Sequence, residues 1–255
     1  MNNVNKTLYI PLYGKAEVSR KGVILHDPKA EEIWAAEGFP LKGKAKSKWL
    51  SYYMGMRAAV FDRWLRQQMG ADPEAVILHI GCGMDSRCQR VGARGHRWYD
   101  IDFPDVIAER KRYYQENEDY RMIASDVTAS DWLESIPGGM AIVVMEGVSM
   151  YLTPEKLRQT LDRLATHFNR MHLLMDCYTT FAAKATKYKN PINEVGVTTV
   201  YGMDDPNALE GFVREHEMTP ADLIGQLSGM EQRIFRHVFA GSFAKKLYRL
   251  YEYER

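Results

Sequence analysis

The sequence predicts an α/β fold with a doubly wound, mostly parallel sheet, a helical cap before it and a cover inserted late in the chain. Three observations support this prediction: short apolar runs, amphipathic stretches between them, and a glycine turn directly after the first run. Strands that are apolar throughout are typical of a parallel sheet with helices on both faces. Because no linker rich in Gly, Pro or Ser divides the chain, we expect a single domain over residues 1–255.

Short runs rich in apolar residues are predicted to be the strands of this sheet. The runs in the middle of the chain are residues 75–80, 96–103, 120–124, 140–145 and 172–175. The tail, residues 248–255, is rich in Tyr and has the composition of a strand. We therefore expect the tail to close one edge of the sheet.

Two helices between these runs are predicted from their first turns. Pro104 stands where a first helical turn accepts proline, and the helix is expected to continue through residue 117. Thr153 is a good N-cap residue, and Pro154 fits the first helical position after it. The apolar residues that keep a helical period from there are Leu157, Leu161, Leu164 and Phe168.

The part of the chain before the first strand is predicted to be a helical cap, residues 1–70. An Asp-Pro pair at 27–28 is a typical helix start. A long helix is expected from Ser47 or Ser51 towards Met69.

Residues 177–227 are less periodic and contain Gly, Pro and aromatic residues, which is typical of a substrate cover and also of an ordinary surface excursion. The aromatic residues that a cover would present to a substrate are Tyr178, Phe181, Tyr188, Tyr201 and Phe212. Aromatic side chains that only pack within the cover would give the same pattern.

Composition argues against several classes of protein. Lys and Arg number 34 and Asp and Glu 33, and the resulting net charge of +1 argues against an extended nucleic-acid surface. The longest apolar run, residues 140–145, is about a third of a membrane span, and the first residues lack the layout of a signal peptide. Three cysteines without a CxxC pair favour a reducing compartment. We expect a cytoplasmic protein without nucleic-acid or membrane partners; the sequence carries no signal for an oligomeric state.

A glycine turn follows the first predicted strand. Gly81 and Gly83 form a G-x-G pair, and Asp100 and Asp102 end the next strand, about twenty residues later. Ligands of an open parallel sheet bind at the carboxyl ends of its strands, where glycine lets the backbone approach closely. A carboxylate there can accept hydrogen bonds from both hydroxyls of a ribose. The pattern indicates a nucleoside cofactor, although one of the two acids could instead cap the helix at Pro104.

The turn favours S-adenosylmethionine over a dinucleotide. A dinucleotide fold has a third glycine where this chain has Ser86, and Asp85 stands within the turn. A carboxylate about 4 Å from a phosphate charge would repel it by roughly 4 kcal/mol at an effective dielectric constant near 20. S-adenosylmethionine carries an ammonium and a sulfonium and no phosphate. A nicotinamide-dependent oxidoreductase is therefore the less favoured alternative. Cys82 lies inside the same turn, so it is expected to line the cofactor site and not to act as a nucleophile.

Four motifs follow one another along the chain: GCGMDSR (81–87), RWYDIDFPDVIAERK (97–111), SDV (125–127) and MEGVSMYLTPE (145–155). In this order and spacing they resemble the leucine carboxyl methyltransferase family. The segments YGKAEVSR, HDPKAEEI and MRAAVFD are similar to its bacterial branch, that of tetracenomycin-type polyketide O-methyltransferases. The resemblance covers nearly the whole chain and is thin after Cys177. It implies a Rossmann-like methyltransferase fold with S-adenosyl-L-methionine as cofactor.

The resemblance also implies which residues hold the cofactor. It places Arg57 on the methionine carboxylate, Asp102 on the ribose, Asp126 and Val127 beside the adenine, and Glu146 at the amino-acid end. The other matching positions are Gly81, Gly83 and, with loose spacing, Lys15. Without the resemblance, Arg57 could be a solvated helix residue and Asp126 a turn residue, whereas a buried carboxylate such as Glu146 is costly unless it is paired.

The function that this resemblance implies is O-methylation of a carboxylate or hydroxyl of a small molecule, such as a polyketide-like metabolite. A carboxylate acceptor is ionised at neutral pH and needs no base, whereas a phenol or alcohol needs one. No His–Asp pair marks such a base, so no catalytic residue is predicted, and no HxxxH or CxxC spacing predicts a metal. A protein of the same fold that binds S-adenosylmethionine without transferring the methyl group is the alternative.

Overall fold

One mixed sheet organises the chain, which a computed structural model describes over residues 5–93, 95–186, 196–197, 199–209 and 211–255. The strands are β1 Val76–Ile80, β2 Trp98–Asp102, β3 Tyr120–Ala124, β4 Met140–Met145, β5 Arg170–Tyr178, β6 Phe212–His216 and β7 Tyr248–Glu254. These described strands form a seven-stranded sheet in the order β3-β2-β1-β4-β5-β7-β6. The predicted doubly wound, mostly parallel α/β fold is therefore confirmed.

The first five strands run parallel, and their order reverses between β1 and β4. Both strands at the reversal are buried almost throughout, as their uninterrupted apolar sequences require. Ile80 is paired with Ile101 on one side and with Met145 on the other, so β1, β2 and β4 end at the same level. A crevice opens at the carboxyl ends of such strands where the order reverses, and it holds the site described below.

The far side of the sheet is antiparallel. β7 pairs with both β5 and β6, so the tail lies inside the sheet and β6 forms the edge. The prediction that the tail closes the edge of the sheet is therefore wrong. The edge strand β6 was not predicted, because its sequence gives little indication of a strand. Its residues are mostly exposed or half-buried, and Phe212 is 65% exposed, so the strand lacks the apolar run by which the others were found.

In the described part of the chain, three α-helices precede the sheet. They are α1 Tyr9–Arg20, α2 Pro28–Glu37 and α3 Lys48–Ala71. Asp27 caps α2 and Ser47 caps α3, because each side chain accepts a hydrogen bond from a backbone N–H of the first turn. The start of α3 is thus at the first of the two predicted positions.

Glycines let α1 and α3 cross closely. A Cβ on Gly14 of α1 would lie 2.8 Å from a side chain of α3, and a Cβ on Gly55 of α3 would lie 2.7 Å from a side chain of α1. Any larger residue would push the helices apart. The close crossing carries Lys15 and Arg57 to the rim of the crevice at the carboxyl ends of the strands.

The other α-helices lie between and after the strands. They are α4 Arg87–Val91, α5 Pro104–Arg110, α6 Pro154–His167, α7 Thr180–Ala185, α8 Ala221–Ile224, α9 Gly229–Phe239 and α10 Ser242–Lys245. Helix α6 starts after Thr153 as predicted, whereas α5 ends well before the predicted residue 117. Glu116 and Asn117 instead accept hydrogen bonds from backbone N–H groups at the start of β3, which requires a turn there. Among the described residues, no helix has the length and apolar character needed to cross a bilayer.

Candidate functional site

A cavity of about 570 Å³ opens at the carboxyl ends of β1, β2, β3 and β4. Its volume lies within the range of roughly 300–1,000 Å³ that is usual for small-molecule sites. It is bordered by every residue that the sequence predicted for the cofactor, namely Lys15, Arg57, Gly81, Gly83, Asp102, Asp126, Val127 and Glu146. The fold thus brings two N-terminal helices and four strand ends to one site.

The glycine turn forms the floor of the cavity. Gly81 has a φ of +66°, and a Cβ there would lie 2.2 Å from a methyl group of Val148. Gly83 has a φ of +50°, and both values lie in the region that favours glycine. Cys82 between them is buried, and burial raises the pKa of its thiol well above the ordinary value. A thiol of this kind stays protonated and is a poor nucleophile.

Asp102 and Asp100 have different environments. Asp102 borders the cavity, where it accepts hydrogen bonds from the N–H groups of Gly83 (2.7 Å) and Phe103 (2.8 Å). Burial nevertheless raises the pKa of Asp102 to about 6. Asp100 is completely buried beneath it, where it pairs with Arg110 and accepts from Trp98 and Tyr120. Of the two acids that the sequence offered, Asp102 is the one that a ligand can reach.

The segment after β3 forms the wall beyond Asp102. Asp126 accepts hydrogen bonds from the backbone N–H and the hydroxyl of Thr128, both at 2.8 Å, so it has the turn role that the sequence left open. It also borders the cavity, together with Val127. One carboxylate therefore shapes the turn and faces the ligand space.

Arg57 lies in a buried cluster at the opposite end of the cavity. Its Nε donates to Glu146 at 2.8 Å and its Nη1 to the hydroxyl of Tyr248 at 2.9 Å. Asp176 lies 3.2 Å from Nη1 and accepts a hydrogen bond of 2.6 Å from Tyr248. Because Arg57 is only 6% exposed, the alternative of a solvated helix arginine is excluded.

Glu146 is held from two sides. Arg87, which is completely buried, donates to the oxygen that Arg57 does not contact. Burial would raise the pKa of Glu146, but Arg87 and Arg57 lower it to about 2. The carboxylate that closes β4 is therefore ionised and paired, as a buried acid must be.

Lys15 forms an ion pair of 2.7 Å with Asp85. Burial alone would raise the pKa of Asp85, but Arg90, Lys15 and Arg87 hold it well below its ordinary range. The repulsion that the sequence argument assigned to Asp85 is therefore too large, because three cations balance this charge.

The side chains that line the cavity are themselves unfavourable to a diphosphate. Among the described lining residues are two cations and four carboxylates: Lys15, Arg57, Asp85, Asp102, Asp126 and Glu146. Such a wall suits a ligand with an ammonium and a sulfonium better than one with two phosphates. The residues present fit S-adenosylmethionine.

One side of the cavity is an apolar wall. Its residues from α9, from α10 and from the segment after α10 are Val238, Phe239, Phe243, Ala244 and Leu247. Tyr178 and Tyr248 continue it with rings packed edge to face, their centroids 5.0 Å apart. This surface can receive the apolar body of a second ligand.

The aromatic residues predicted for a cover have mixed outcomes. Tyr178 lines the cavity, and Tyr188 lies outside the described residues. Phe181, Tyr201 and Phe212 do not line the cavity and are 59%, 36% and 65% exposed. The described cover on this side therefore comes mainly from α9 and α10, which follow the predicted segment 177–227.

Sequence reasoning missed Asp176, Tyr248 and Arg87. Asp176 directly follows the apolar run of residues 172–175, as Glu146 directly follows residues 140–145. Arg87 is the last residue of the motif GCGMDSR, but the motif does not indicate which residues pair with it. Tyr248 gave no signal, because its contact with Arg57 joins residues far apart in the chain.

Comparison with known proteins identifies the family. The sequence model of the leucine carboxyl methyltransferase family matches residues 12–165. The chain is also 31% identical over 216 residues to the tetracenomycin polyketide synthesis O-methyltransferase TcmP of Streptomyces glaucescens, a match that covers 84% of this chain and 80% of that protein. The chain belongs to the leucine carboxyl methyltransferase family.

A second curated relative and a solved structure of similar fold are also found. An S-adenosyl-L-methionine-dependent methyltransferase, dpfgK of Gibberella zeae, is 26% identical over 237 residues, covering 84% of this chain and 80% of that protein. The crystal structure of a predicted methyltransferase from Thermobifida fusca YX superimposes with a TM-score of 0.58 at 13% identity, covering 95% and 94% of the two chains. Like its family, the protein is an S-adenosylmethionine-dependent methyltransferase.

Proposed function

We propose that the protein transfers the methyl group of S-adenosylmethionine to an oxygen atom, a carboxylate or a hydroxyl, of a small molecule. The observation that carries this proposal is the continuous cavity, which has the carboxylates Asp102 and Asp126 at one end, the Arg57–Glu146 pair at the other and the apolar wall beside it. Such a cavity has room for a nucleoside cofactor and for an apolar acceptor next to it. TcmP is named as an O-methyltransferase, which supports oxygen as the acceptor atom.

We assign the nucleoside end to the residues after β1, β2 and β3. Asp102 would accept hydrogen bonds from the ribose hydroxyls, and Asp126 would accept one from the exocyclic amine of the adenine. Val127 would cover the adenine ring. The cofactor would pass over the turn at Gly81 and Gly83, where the positive φ values and the close approach of Val148 to Gly81 require residues without a Cβ.

We assign the methionine end to Arg57, Glu146 and Lys15. Nε and Nη1 of Arg57 are engaged by Glu146 and Tyr248, so we assign Nη2 to the methionine carboxylate. The ionised Glu146 suits the ammonium group. Lys15, held by Asp85 at the cavity rim, would add a second cation near the carboxylate.

The bound cofactor supplies an electrophilic methyl group, and the protein has to position the acceptor oxygen in line with it. Both ring nitrogens of His79, the one histidine among the described lining residues, are engaged by Asp100 and Arg87. Burial raises the pKa values of Tyr53, Tyr151 and Tyr248, so these hydroxyls stay protonated at neutral pH. The absence of a free base among these described residues favours a carboxylate, which is already ionised, over a hydroxyl.

Mass spectrometry tests the proposed activity. The protein is incubated with S-adenosylmethionine and a panel of apolar aromatic and aliphatic carboxylic acids, phenols and alcohols, and products heavier by about 14 Da are sought. Mild alkali cleaves a methyl ester and leaves a methyl ether intact, so it separates the two acceptor types. Methylation of nitrogen, sulfur or carbon only would contradict the proposal, and cofactor binding without any transfer would support the non-catalytic alternative.

A thermal-shift experiment tests the choice of cofactor. S-adenosylhomocysteine at a hundred times its dissociation constant should add about 2.7 kcal/mol of stability, a rise of about 5–10 °C in melting temperature for a domain of this size. NADH at the same concentration should leave the melting temperature unchanged. The reverse result would exclude the site assignments made above.

The titration of Asp102 should make cofactor binding depend on pH. Its pKa of about 6 in the folded protein lies above the ordinary value of 3.8 for an aspartate. Between pH 3.8 and pH 6 the folded form therefore holds a proton that the unfolded form has lost. Stability from this group is thus present at low pH and lost as the pH rises to 6. Binding has the opposite sign, because ribose hydroxyls need the ionised carboxylate. Affinity should fall about tenfold per pH unit below 6.

Isothermal titration calorimetry of the wild type and of Asp102→Asn checks this pH dependence. The variant should bind the cofactor weakly at pH 8, with an affinity that hardly changes down to pH 5. A variant that keeps the wild-type pH profile would show that another group controls it.

A further inference from the structure

The methionine end of the cavity belongs to a larger buried charge network, which we define as the side chains joined by ion pairs of 4.0 Å or less around Arg57 and Asp85. Among the described residues its members are Lys15, Arg57, Arg87, Arg90, Arg110, Asp27, Asp62, Asp85, Asp100, Glu146 and Asp176, with His79 between Asp85 and Asp100. Each of these charged side chains is at most 8% exposed. Charges this deep are screened little by salt or water.

The protonation state of His79 is fixed by its neighbours. Nη1 of Arg87 lies 3.3 Å from Nε2 of His79, and a guanidinium can only donate. Nε2 must therefore carry no proton, and Nδ1 donates to Asp100 at 3.1 Å. Burial also lowers the pKa of His79, which favours the neutral imidazole. The imidazole is neutral and adds no charge to the network.

With His79 neutral, the members defined above are five cations and six carboxylates. Asp100 and Arg110 balance each other. The other four cations face five carboxylates, so the one negative charge in excess belongs to this part of the network, which lies nearer the cavity. Asp176 has Arg57 as its cation and shares it with Glu146. Burial raises the pKa of Asp176 against the effect of Arg57, as expected for a carboxylate whose charge is incompletely matched.

We infer that the sulfonium of S-adenosylmethionine supplies the positive charge that this network lacks, so that the site selects the methylated cofactor over its demethylated product. The network reaches the cavity through Lys15, Arg57, Asp85 and Glu146. The cofactor has one carboxylate, one ammonium and one sulfonium, a net charge of +1. S-adenosylhomocysteine keeps the first two groups and is neutral overall.

The charge of the network would also affect how the cofactor is released after the transfer. In the transfer, the S–CH₃ bond breaks, its electron pair stays on sulfur, and a lone pair of the acceptor oxygen forms the O–CH₃ bond. The sulfonium becomes a neutral thioether, and a carboxylate acceptor becomes a neutral ester. The network then has one carboxylate in excess again, and this favours release of the spent cofactor.

Calorimetric binding to the whole protein tests the inference. The ligands are S-adenosylmethionine, S-adenosylhomocysteine and sinefungin, in which an amine-bearing carbon replaces the sulfonium and keeps the positive charge. Both charged ligands should bind at least about tenfold more tightly than S-adenosylhomocysteine. The attraction between one ligand charge and one buried carboxylate is worth at least the roughly 1.4 kcal/mol that a tenfold change in affinity requires. Sinefungin as weak as S-adenosylhomocysteine, or equal affinities for all three, would overturn the inference.

Two variants separate charge from geometry. Asp176→Asn removes the excess charge at nearly constant shape and should reduce the tenfold preference to less than about threefold. Tyr248→Phe removes the hydroxyl that donates to Asp176 and accepts from Arg57 but leaves both charges in place, so the preference should persist. A preference unchanged in Asp176→Asn, or lost equally in both variants, would contradict the role of charge. If Asp176→Asn does not fold, the three ligands on the wild type still decide.

The inference rests on the cofactor placement proposed above and not on oxygen as the acceptor atom. Because the experiments measure binding only, they can succeed or fail independently of the product assay. A protein that prefers the charged ligands and methylates no oxygen acceptor would support the inference and contradict the proposed function.

Discussion

Replacing Arg87 by methionine should lower the free energy of unfolding by about 3–5 kcal/mol. The side chain is completely buried and donates to Asp62 at 2.9 Å, to Glu146, and towards Asp85 at 3.2 Å. Methionine fills much of the same space without a charge, so three carboxylates lose a cation that water cannot replace. The loss is a large part of the 5–15 kcal/mol that usually stabilises a domain.

Urea denaturation followed by circular dichroism measures this effect, and Arg158→Met is its matched control. Arg158 lies on α6, is 60% exposed and contacts Asp162 at 3.4 Å. An exposed pair of this kind contributes little, so the control should change stability by less than about 0.5 kcal/mol. If the two variants lost similar amounts, the network around Arg87 would not be what stabilises this part of the fold.

Gly81→Ala should destabilise the protein by about 2–5 kcal/mol and also weaken cofactor binding. Two effects add: the positive φ costs an alanine roughly 1–2 kcal/mol, and overpacking against Val148 costs roughly 1–3 kcal/mol more. The new Cβ would lie 2.2 Å from a methyl group of Val148. Either the turn or the segment after Glu146 must move, and both border the cavity.

Gly22→Ala separates these two effects. Gly22 has the same φ of +66°, and no heavy atom of the described neighbours lies within 4 Å of its added Cβ. Its variant should show the backbone cost alone, whereas Gly81→Ala/Val148→Ala should recover the part due to the clash. Chemical denaturation and calorimetric affinity are the measurements. Equal losses in the two single variants would mean that Val148 does not impose glycine at position 81.

Local sequence signals predicted the elements that depend on local properties. Residues 140–145 form β4 with the predicted bounds, because an uninterrupted apolar run needs cover on both faces whatever its neighbours are. Thr153 caps α6 as predicted. The glycine turn and the acid that ends β2 were found because their chemistry depends on residue type and spacing.

Long-range contacts were beyond these signals. The end of α5 is set by side chains that bind the start of β3, and the backbone of β6 is paired with β7, which comes more than thirty residues later in the chain. Asp85 looked like an unmatched charge until the fold placed Lys15 and Arg90 against it. Partners that are tens of residues apart are specified by the tertiary structure, so a single sequence gives their residue types but not their pairing.

The position of β7 between β5 and β6 constrains how the molecule is made on the ribosome. β6 is translated before β7, yet β7 is its one partner among the described strands. The nascent polypeptide therefore carries an unmatched edge segment until β7 leaves the exit tunnel. Tyr248, the first residue of β7, binds Arg57 and Asp176. The set of hydrogen bonds around the Arg57 guanidinium is therefore completed late, after the five parallel strands have been synthesised.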